Sequence, residues 1–149
     1  MNHEFRSWIA LLSLIVSISK SQEVKAPVVG NLKNPHGEAC ACAWGYPGKN
    51  DSIAFIRGLT WRNCWINING IDTRLKLLKS DFPRPEDLMV GQKFSESYSS
   101  KYFKIEIEYA VTKPSHEEDS QLPKIAATLT VSHGKKKSTV RLEGNCSCK

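Results

Sequence analysis

The strongest constraint on the fold is a strict alternation of apolar and charged side chains in the second half of the chain. Over residues 103–111, one face carries Phe103, Ile105, Ile107, Tyr109 and Val111. Lys104, Glu106 and Glu108 fall between them. Successive side chains of a β-strand point to opposite faces, so this period of two predicts a half-buried antiparallel strand. Residues 125–131 repeat the pattern and predict a second strand of the same kind.

A tight hairpin is predicted over residues 62–78. Its centre is Asn69-Gly70, the pair favoured in two-residue type I′ turns because both central positions need a positive φ. A two-residue turn fixes the register of its strands. The register places Trp65 opposite Arg74 and puts Cys64 on the apolar face.

The remaining pattern predicts the fold class and the domain boundaries. Short β-prone segments follow one another between turn signals, with no long helical periodicity. We therefore expect an all-β fold, either a single antiparallel β-sandwich or a small β-barrel of about seven or eight short strands. Residues 38–149 would form this domain, and residues 22–37, which contain prolines and glycines, would form a flexible leader.

The N-terminus has the order of a secretory signal peptide, predicted over residues 1–21. Arg6 precedes the apolar run Trp8–Ile18, and small residues follow, with cleavage expected after Ser21 or Ser19. The run of 11 residues is shorter than the roughly 20 that a membrane-spanning helix requires. Cleavage would remove two of the 21 basic and one of the 15 acidic residues, leaving a net charge of +5. We expect a secreted or periplasmic protein without a transmembrane segment after cleavage, and this mild charge does not indicate a nucleic-acid partner.

Four of the five cysteines form two C-x-C pairs at opposite ends of the predicted domain: Cys40, Cys42, Cys146 and Cys148. In a strand, residues i and i+2 share a face, so adjacent first and last strands would bring four sulfurs together. Export favours disulfides that join the ends of the domain. The alternative is a site in which the same four thiolates bind zinc or copper(I). The fifth, Cys64, leaves an odd thiol whose partner the sequence does not specify.

Exposed aromatic and arginine side chains are the candidate binding residues. Trp44, Trp61 and Trp65 lie near turns or on faces that need not be buried, and Trp65 is opposite Arg74 in the predicted register. Tryptophan and arginine are frequent anchors of protein interfaces, and the two can also form a cation–π contact. The alternative is that a second sheet covers this face.

Motifs of known catalytic sites are missing from the sequence, which contains no G-x-S-x-G, H-E-x-x-H, P-loop or G-x-G-x-x-G pattern. We therefore expect no enzymatic activity and no cofactor. The leading hypothesis is a non-enzymatic domain that binds another protein outside the cytoplasm, as an inhibitor or immunity-type binder. One alternative is the thiolate metal-binding protein; another is an envelope-associated structural protein whose basic tip, Lys135, Lys136 and Lys137, binds an acidic polymer.

Overall fold

The computed structural model describes residues 23–34, 36, 40–60, 62–84, 87–113 and 123–148. The predicted signal peptide lies outside these residues. The described part forms nine β-strands: β1 (Val29–Gly30), β2 (Cys40–Gly45), β3 (Phe55–Gly58), β4 (Cys64–Ile68), β5 (Ile71–Ser80), β6 (Lys93–Ser99), β7 (Lys104–Lys113), β8 (Lys124–His133) and β9 (Lys136–Cys148).

Eight of these strands close into an antiparallel barrel. Each strand from β2 to β8 pairs with the next along the chain, and β9 pairs with β2 to complete the ring. The two-residue strand β1 is additional and pairs with the end of β4, where Val29 is opposite Ile68. The predicted all-β fold is confirmed, and of the two predicted architectures the barrel is correct.

The predicted alternation fills the barrel with side chains. The inward residues of β7 and β8 are each at most 2% exposed: Ile105, Ile107, Tyr109, Val111, Ile125, Ala127, Leu129 and Val131. The charged residues between those of β7, Lys104, Glu106 and Glu108, are exposed. An eight-stranded barrel is just wide enough for its own side chains to fill it, and this interior is a packed core.

The predicted hairpin is also confirmed. Asn69 and Gly70 have φ values of 54° and 81°, as a type I′ turn requires. The register between β4 and β5 pairs Ile68 with Ile71 and Trp65 with Arg74.

The predicted flexible leader is wrong for the residues that form β1. Val29 is 6% exposed and belongs to the core, and its carbonyl oxygen accepts a hydrogen bond of 2.5 Å from the Tyr46 hydroxyl. The amide of Leu32 donates to the carbonyl of Ile53 at 2.6 Å. A two-residue strand is too short to produce a recognisable periodicity. The folded unit therefore begins before residue 38.

The seam between β2 and β9 depends on a glycine. Gly144 lies between Trp44 on β2 and Ile125 on β8. A Cβ atom at position 144 would lie 1.9 Å from the carbonyl oxygen of Ala43 and 2.7 Å from the Trp44 ring. The two strands approach this closely only because position 144 has no side chain.

Replacing Gly144 with alanine is therefore expected to lower the free energy of unfolding by about 3 kcal/mol, the upper end of the usual cost of overpacking. Urea unfolding measures this loss. Glu143→Ala, at an exposed position on the same strand, is the matched control and should change stability by less than about 0.5 kcal/mol. Equal stability of Gly144→Ala and the wild type would mean that the seam accepts a side chain.

Candidate functional site

Trp65 and Arg74 lie opposite each other on β4 and β5, as the sequence predicted. Trp65 is half-buried, whereas Arg74 is exposed. The guanidinium of Arg74 donates to the carbonyl oxygen of Arg62 at 3.0 Å and to Oδ1 of Asn63 at 3.3 Å. The arginine is therefore held against the start of β4.

Trp65 is covered by a residue from the predicted leader. The rings of Trp65 and His36 stack with centroids 3.8 Å apart and an angle of 6° between their planes. Nε2 of His36 lies 3.4 Å from Oδ2 of Asp72 on β5. One face of the indole is therefore occupied within the chain, which leaves Arg74 as the more accessible member of the predicted pair.

Asp72 fastens the same N-terminal segment to the hairpin. Its carboxylate accepts hydrogen bonds from the backbone amides of Lys33 and Asn34, each at 3.0 Å, and from Nδ2 of Asn67 at 2.8 Å. Burial raises the pKa of the Asp72 carboxyl, but hydrogen bonds from Asn67, Asn34, Lys33 and His36 outweigh this and lower the pKa from 3.8 to about 2.

The prediction of Trp44 as a surface binding residue is wrong. Its side chain is fully buried, and its rings pack against Phe55, Phe82 and Tyr109 at centroid distances of 5.4, 6.5 and 5.1 Å. It points inward because β2 closes the barrel, which the sequence pattern of a short strand did not specify. Trp61, the remaining predicted binding residue, lies outside the described residues.

The two C-x-C pairs lie next to each other, as predicted. In the β2–β9 ladder Cys40 is opposite Cys148 and Cys42 is opposite Cys146. Cys42 and Cys146 form a disulfide that spans 104 positions of sequence, and Cys40 is also disulfide-bonded. The four-thiolate metal site is contradicted, because it needs these sulfurs in reduced form.

Cys64 is a thiol buried on the apolar face of β4, as the hairpin register predicted. Burial raises the pKa of this thiol to about 11. A thiolate is therefore scarce at neutral pH, and this environment does not suit a nucleophile. Among the described residues, no group of three or more His, Cys, Asp or Glu side chains is placed to hold a metal ion.

An open cleft of about 680 Å³ lies beside β5. Its lining comes from the start of β4, the middle of β5 and the end of β6, and comprises Arg62, Arg74, Leu75, Lys76, Leu77, Ser99, Ser100 and Lys101. We name this feature the basic cleft. It includes Arg74 from the predicted binding set.

The basic cleft arises where β5 changes its hydrogen-bonding partner. Residues 71–75 of β5 pair with β4, and the ladder with β6 begins only at Lys76. The ends of β4 and β6 are thereby staggered along β5, and in the described ladders each half of β5 is paired on one edge only. A bulge between Leu77 and Lys79 follows this exchange of partners. Bulges of this kind often lie near functional sites.

Positive charge dominates the lining of the basic cleft. Arg62, Arg74, Lys76 and Lys101 are exposed, and among the described residues that line the cleft none is acidic. The half-buried Leu77 adds apolar surface between the charged side chains, Leu75 lies beneath in the core at 4% exposure, and Ser99 and Ser100 add hydroxyl groups. Several cations around one concavity raise the local potential and attract anionic groups.

A buried polar network, which sequence reasoning missed, lies inside the barrel around Glu96 on β6. Glu96 is 3% exposed, and its carboxylate accepts hydrogen bonds from Arg57 Nε at 2.9 Å, Ser80 Oγ at 2.7 Å, Tyr98 at 2.5 Å and Tyr109 at 2.9 Å. The available signal was the alternation of Phe94, Glu96 and Tyr98. Because Glu96 occupies an inward position of that pattern and serines occupy the positions between, the segment was not predicted as a strand.

The network is neutral overall and fully bonded at its centre. Arg57 is 1% exposed, and its guanidinium carbon lies 4.2 Å from the centre of the Phe82 ring. Burial, and then the Glu96 charge, raise the pKa of both Tyr98 and Tyr109 well above the ordinary value. Both phenols therefore stay protonated and donate to the carboxylate. Packed inside the core, this network has a structural role.

The predicted basic tip is the turn between β8 and β9. Gly134, with φ of 58°, and Lys135 connect the strands, while Lys136 and Lys137 begin β9. All three lysines are exposed.

No protein-family model matches the chain, and neither a curated protein nor a solved structure matches it significantly. Within the described residues, no helix is long and apolar enough to cross a membrane.

Removing one member of the buried ion pair is expected to be strongly destabilising. Glu96→Leu leaves the Arg57 guanidinium buried without its carboxylate, and should lower the free energy of unfolding by about 3–5 kcal/mol. Arg57→Met should cost a similar amount. The double variant should lose about 2 kcal/mol less than the two single losses combined, because neither charge then remains unpaired.

Urea unfolding of the four proteins provides this double-mutant cycle. Glu106→Leu, at an exposed position on β7, serves as a control for the loss of a carboxylate. Additive losses from the Arg57 and Glu96 substitutions would contradict energetic coupling between them.

Asp72 is expected to contribute an acid-sensitive part of the stability. Because its folded pKa of about 2 is below its ordinary 3.8, the carboxylate stabilises the fold above pH 3.8, and this contribution is lost as the pH falls toward 2. Asp72→Asn should be less stable than the wild type at pH 6 and should show a shallower decrease between pH 4 and pH 2. Unfolding midpoints in urea across this range test it, with exposed Asp51→Asn as control. Identical slopes for wild type and Asp72→Asn would be inconsistent with this role.

Proposed function

We propose that this protein is an exported, non-enzymatic binding domain, and that its basic cleft binds an acidic segment of another protein outside the cytoplasm. Such a domain would act as an inhibitor or immunity-type partner. The observation that carries the proposal is the convergence of four cationic side chains, Arg62, Arg74, Lys76 and Lys101, from three separate parts of the chain around one concave surface.

The chemistry of the cleft favours a protein ligand over a simple anion. The half-buried Leu77 contributes apolar surface among the charges, so a ligand with both acidic and apolar side chains would complement it. Arginine is enriched at interfaces, and its planar guanidinium can bind a carboxylate through two hydrogen bonds. Because Arg74 is already held by Arg62 and Asn63, less side-chain freedom would be lost on binding.

The disulfides support a location outside the cytoplasm. The bond between Cys42 and Cys146, together with the bonded Cys40, is typical of proteins that fold in an oxidising compartment. The predicted signal peptide agrees with this location. The high pKa of the Cys64 thiol argues against nucleophilic catalysis by that residue.

Reversing charge in the basic cleft is expected to weaken partner binding strongly. The double variant Arg74→Glu/Lys76→Glu should retain its acidic partner at least about tenfold more weakly, because attraction is replaced by repulsion at the centre of the contact. The measurement is capture from the native secreted or periplasmic fraction, with quantitative mass spectrometry of the retained proteins.

The matched control is Lys93→Glu/Arg141→Glu, which makes the same change in net charge at exposed positions outside the cleft. It should retain the partner normally, and increasing salt should weaken capture by the wild type. Equal retention of every partner by both double variants would exclude the basic cleft as the binding site.

A further inference from the structure

We propose that the ligand of the basic cleft binds as an added β-strand: an extended acidic peptide segment pairs with the free edge of β5 beside Asp72 and Arg74. This inference rests on the proposed function and specifies how the same cleft recognises its partner. It predicts backbone hydrogen bonding in addition to charge attraction, as in other complexes that extend a sheet.

The free edge follows from the stagger of β5. Residues 71–75 pair with β4 on one side, and on the other side the ladder with β6 begins only at Lys76, opposite Ser99. The chain then leaves β6 through Ser100, whose amide donates to the Phe103 carbonyl at 2.9 Å. In the described ladders, the edge of residues 71–75 that faces away from β4 therefore has no strand beside it.

The hydrogen-bonding groups on this edge can be assigned from the hairpin register. The pair that flanks a two-residue turn, Ile68 and Ile71, is hydrogen-bonded, and pairs alternate from there. Asn67 is in the next pair, opposite Asp72, and its amide indeed points away from β5, donating to the Ala54 carbonyl at 3.2 Å. By the same alternation Asp72 and Arg74 direct their amides and carbonyls away from β4, toward the free edge.

The basic cleft provides the space for the added strand. Its lining joins Arg74, on the free edge, to Ser99, Ser100 and Lys101, where β6 ends. A peptide in this position would continue the line of β6 along β5. Its outward side chains would lie beside Arg74 with Lys101 and Arg62 nearby, so acidic side chains complement this part of the site. The Asp72 carboxylate is not in the lining, and it already accepts hydrogen bonds from Lys33, Asn34 and Asn67.

A second copy of the chain is a poorer occupant than an acidic peptide. Pairing two β5 edges would bring two basic clefts together, each with four cationic side chains. The whole chain also carries a net charge of +6, so the approach of a second copy is opposed by repulsion. Charge complementarity therefore selects a partner segment rich in aspartate or glutamate.

The test is amide hydrogen exchange, measured by NMR on 15N-labelled protein recovered from the oxidising compartment. The probe is the synthetic peptide (Glu-Val)4, an extended-chain former with acidic side chains on one face, and (Lys-Val)4 is the control peptide. With saturating (Glu-Val)4, the amides of Asp72 and Arg74 should exchange at least tenfold more slowly. The amides of Thr73 and Leu75, which point toward β4, are internal controls and should not change.

Three results would overturn strand addition, and they differ in what they mean for the proposed function. If (Glu-Val)4 shifts the NMR signals of Arg62 and Lys101 without slowing amide exchange at Asp72 and Arg74, the peptide binds by charge alone. The strand-addition inference then fails and the proposed function stands. If (Glu-Val)4 does not bind at low salt, the edge inference also fails, and the capture experiment with Arg74→Glu/Lys76→Glu decides the proposed function separately. Protection that appears without peptide as the protein concentration rises would identify a second copy as the occupant.

Discussion

The antiparallel ladder between β2 and β9 is the constraint on which the rest of the structure depends. It joins β2, the first strand of the barrel, to β9, the last. The ladder runs from Cys40 opposite Cys148 to Gly45 opposite Glu143 and closes the antiparallel meander into a barrel. The Cys42–Cys146 disulfide fixes this ladder covalently, and Gly144 allows its close approach at Trp44. A bridge that closes about 100 residues removes much of the freedom of the unfolded chain. Closure also encloses Trp44 and the network around Glu96, which an open sheet would expose to water.

Closure with strands of unequal length creates the basic cleft. β4 has five residues and β6 has seven, whereas β5, which lies between them, has ten. Neither neighbour spans β5: β4 pairs with its first half and β6 with its second half, so the ring is complete while each half of β5 has one edge without a strand beside it in the described ladders. The cations at this point lie on elements that are distant in sequence, because β4 and β6 meet only through β5. The cleft is thus a consequence of how the barrel closes.

The sequence predicted what depends on local pattern and missed what depends on closure. The alternation of β7 and β8 and the Asn69-Gly70 turn are local, and each predicted its strand or register correctly. Trp44 was misassigned because its burial comes from closure of the barrel, which packs its rings against Phe55, Phe82 and Tyr109. The two residues of β1 were too few to show a period, and the chain around them is held by hydrogen bonds from the amides of Val28 and Lys33 to the side chains of Asn69 and Asp72. Arg74 was identified from the hairpin register, but Arg62, Lys76 and Lys101 join it only through the stagger of β4 and β6.

The buried network connects the core to the basic cleft. Glu96 orients Tyr98, and Tyr98 is opposite Leu77 immediately before Ser99, the residue with which the β5–β6 ladder ends. The carboxylate is bonded to Arg57, Ser80 and two phenols, so the position of β6 relative to β5 is set by a network with few alternative arrangements. Arg57 and Glu96 form an ion pair inside the barrel. The electrostatic potential at the cleft therefore comes mainly from the exposed arginines and lysines. The interior therefore fixes where the cleft opens, and the surface residues determine which charge it attracts.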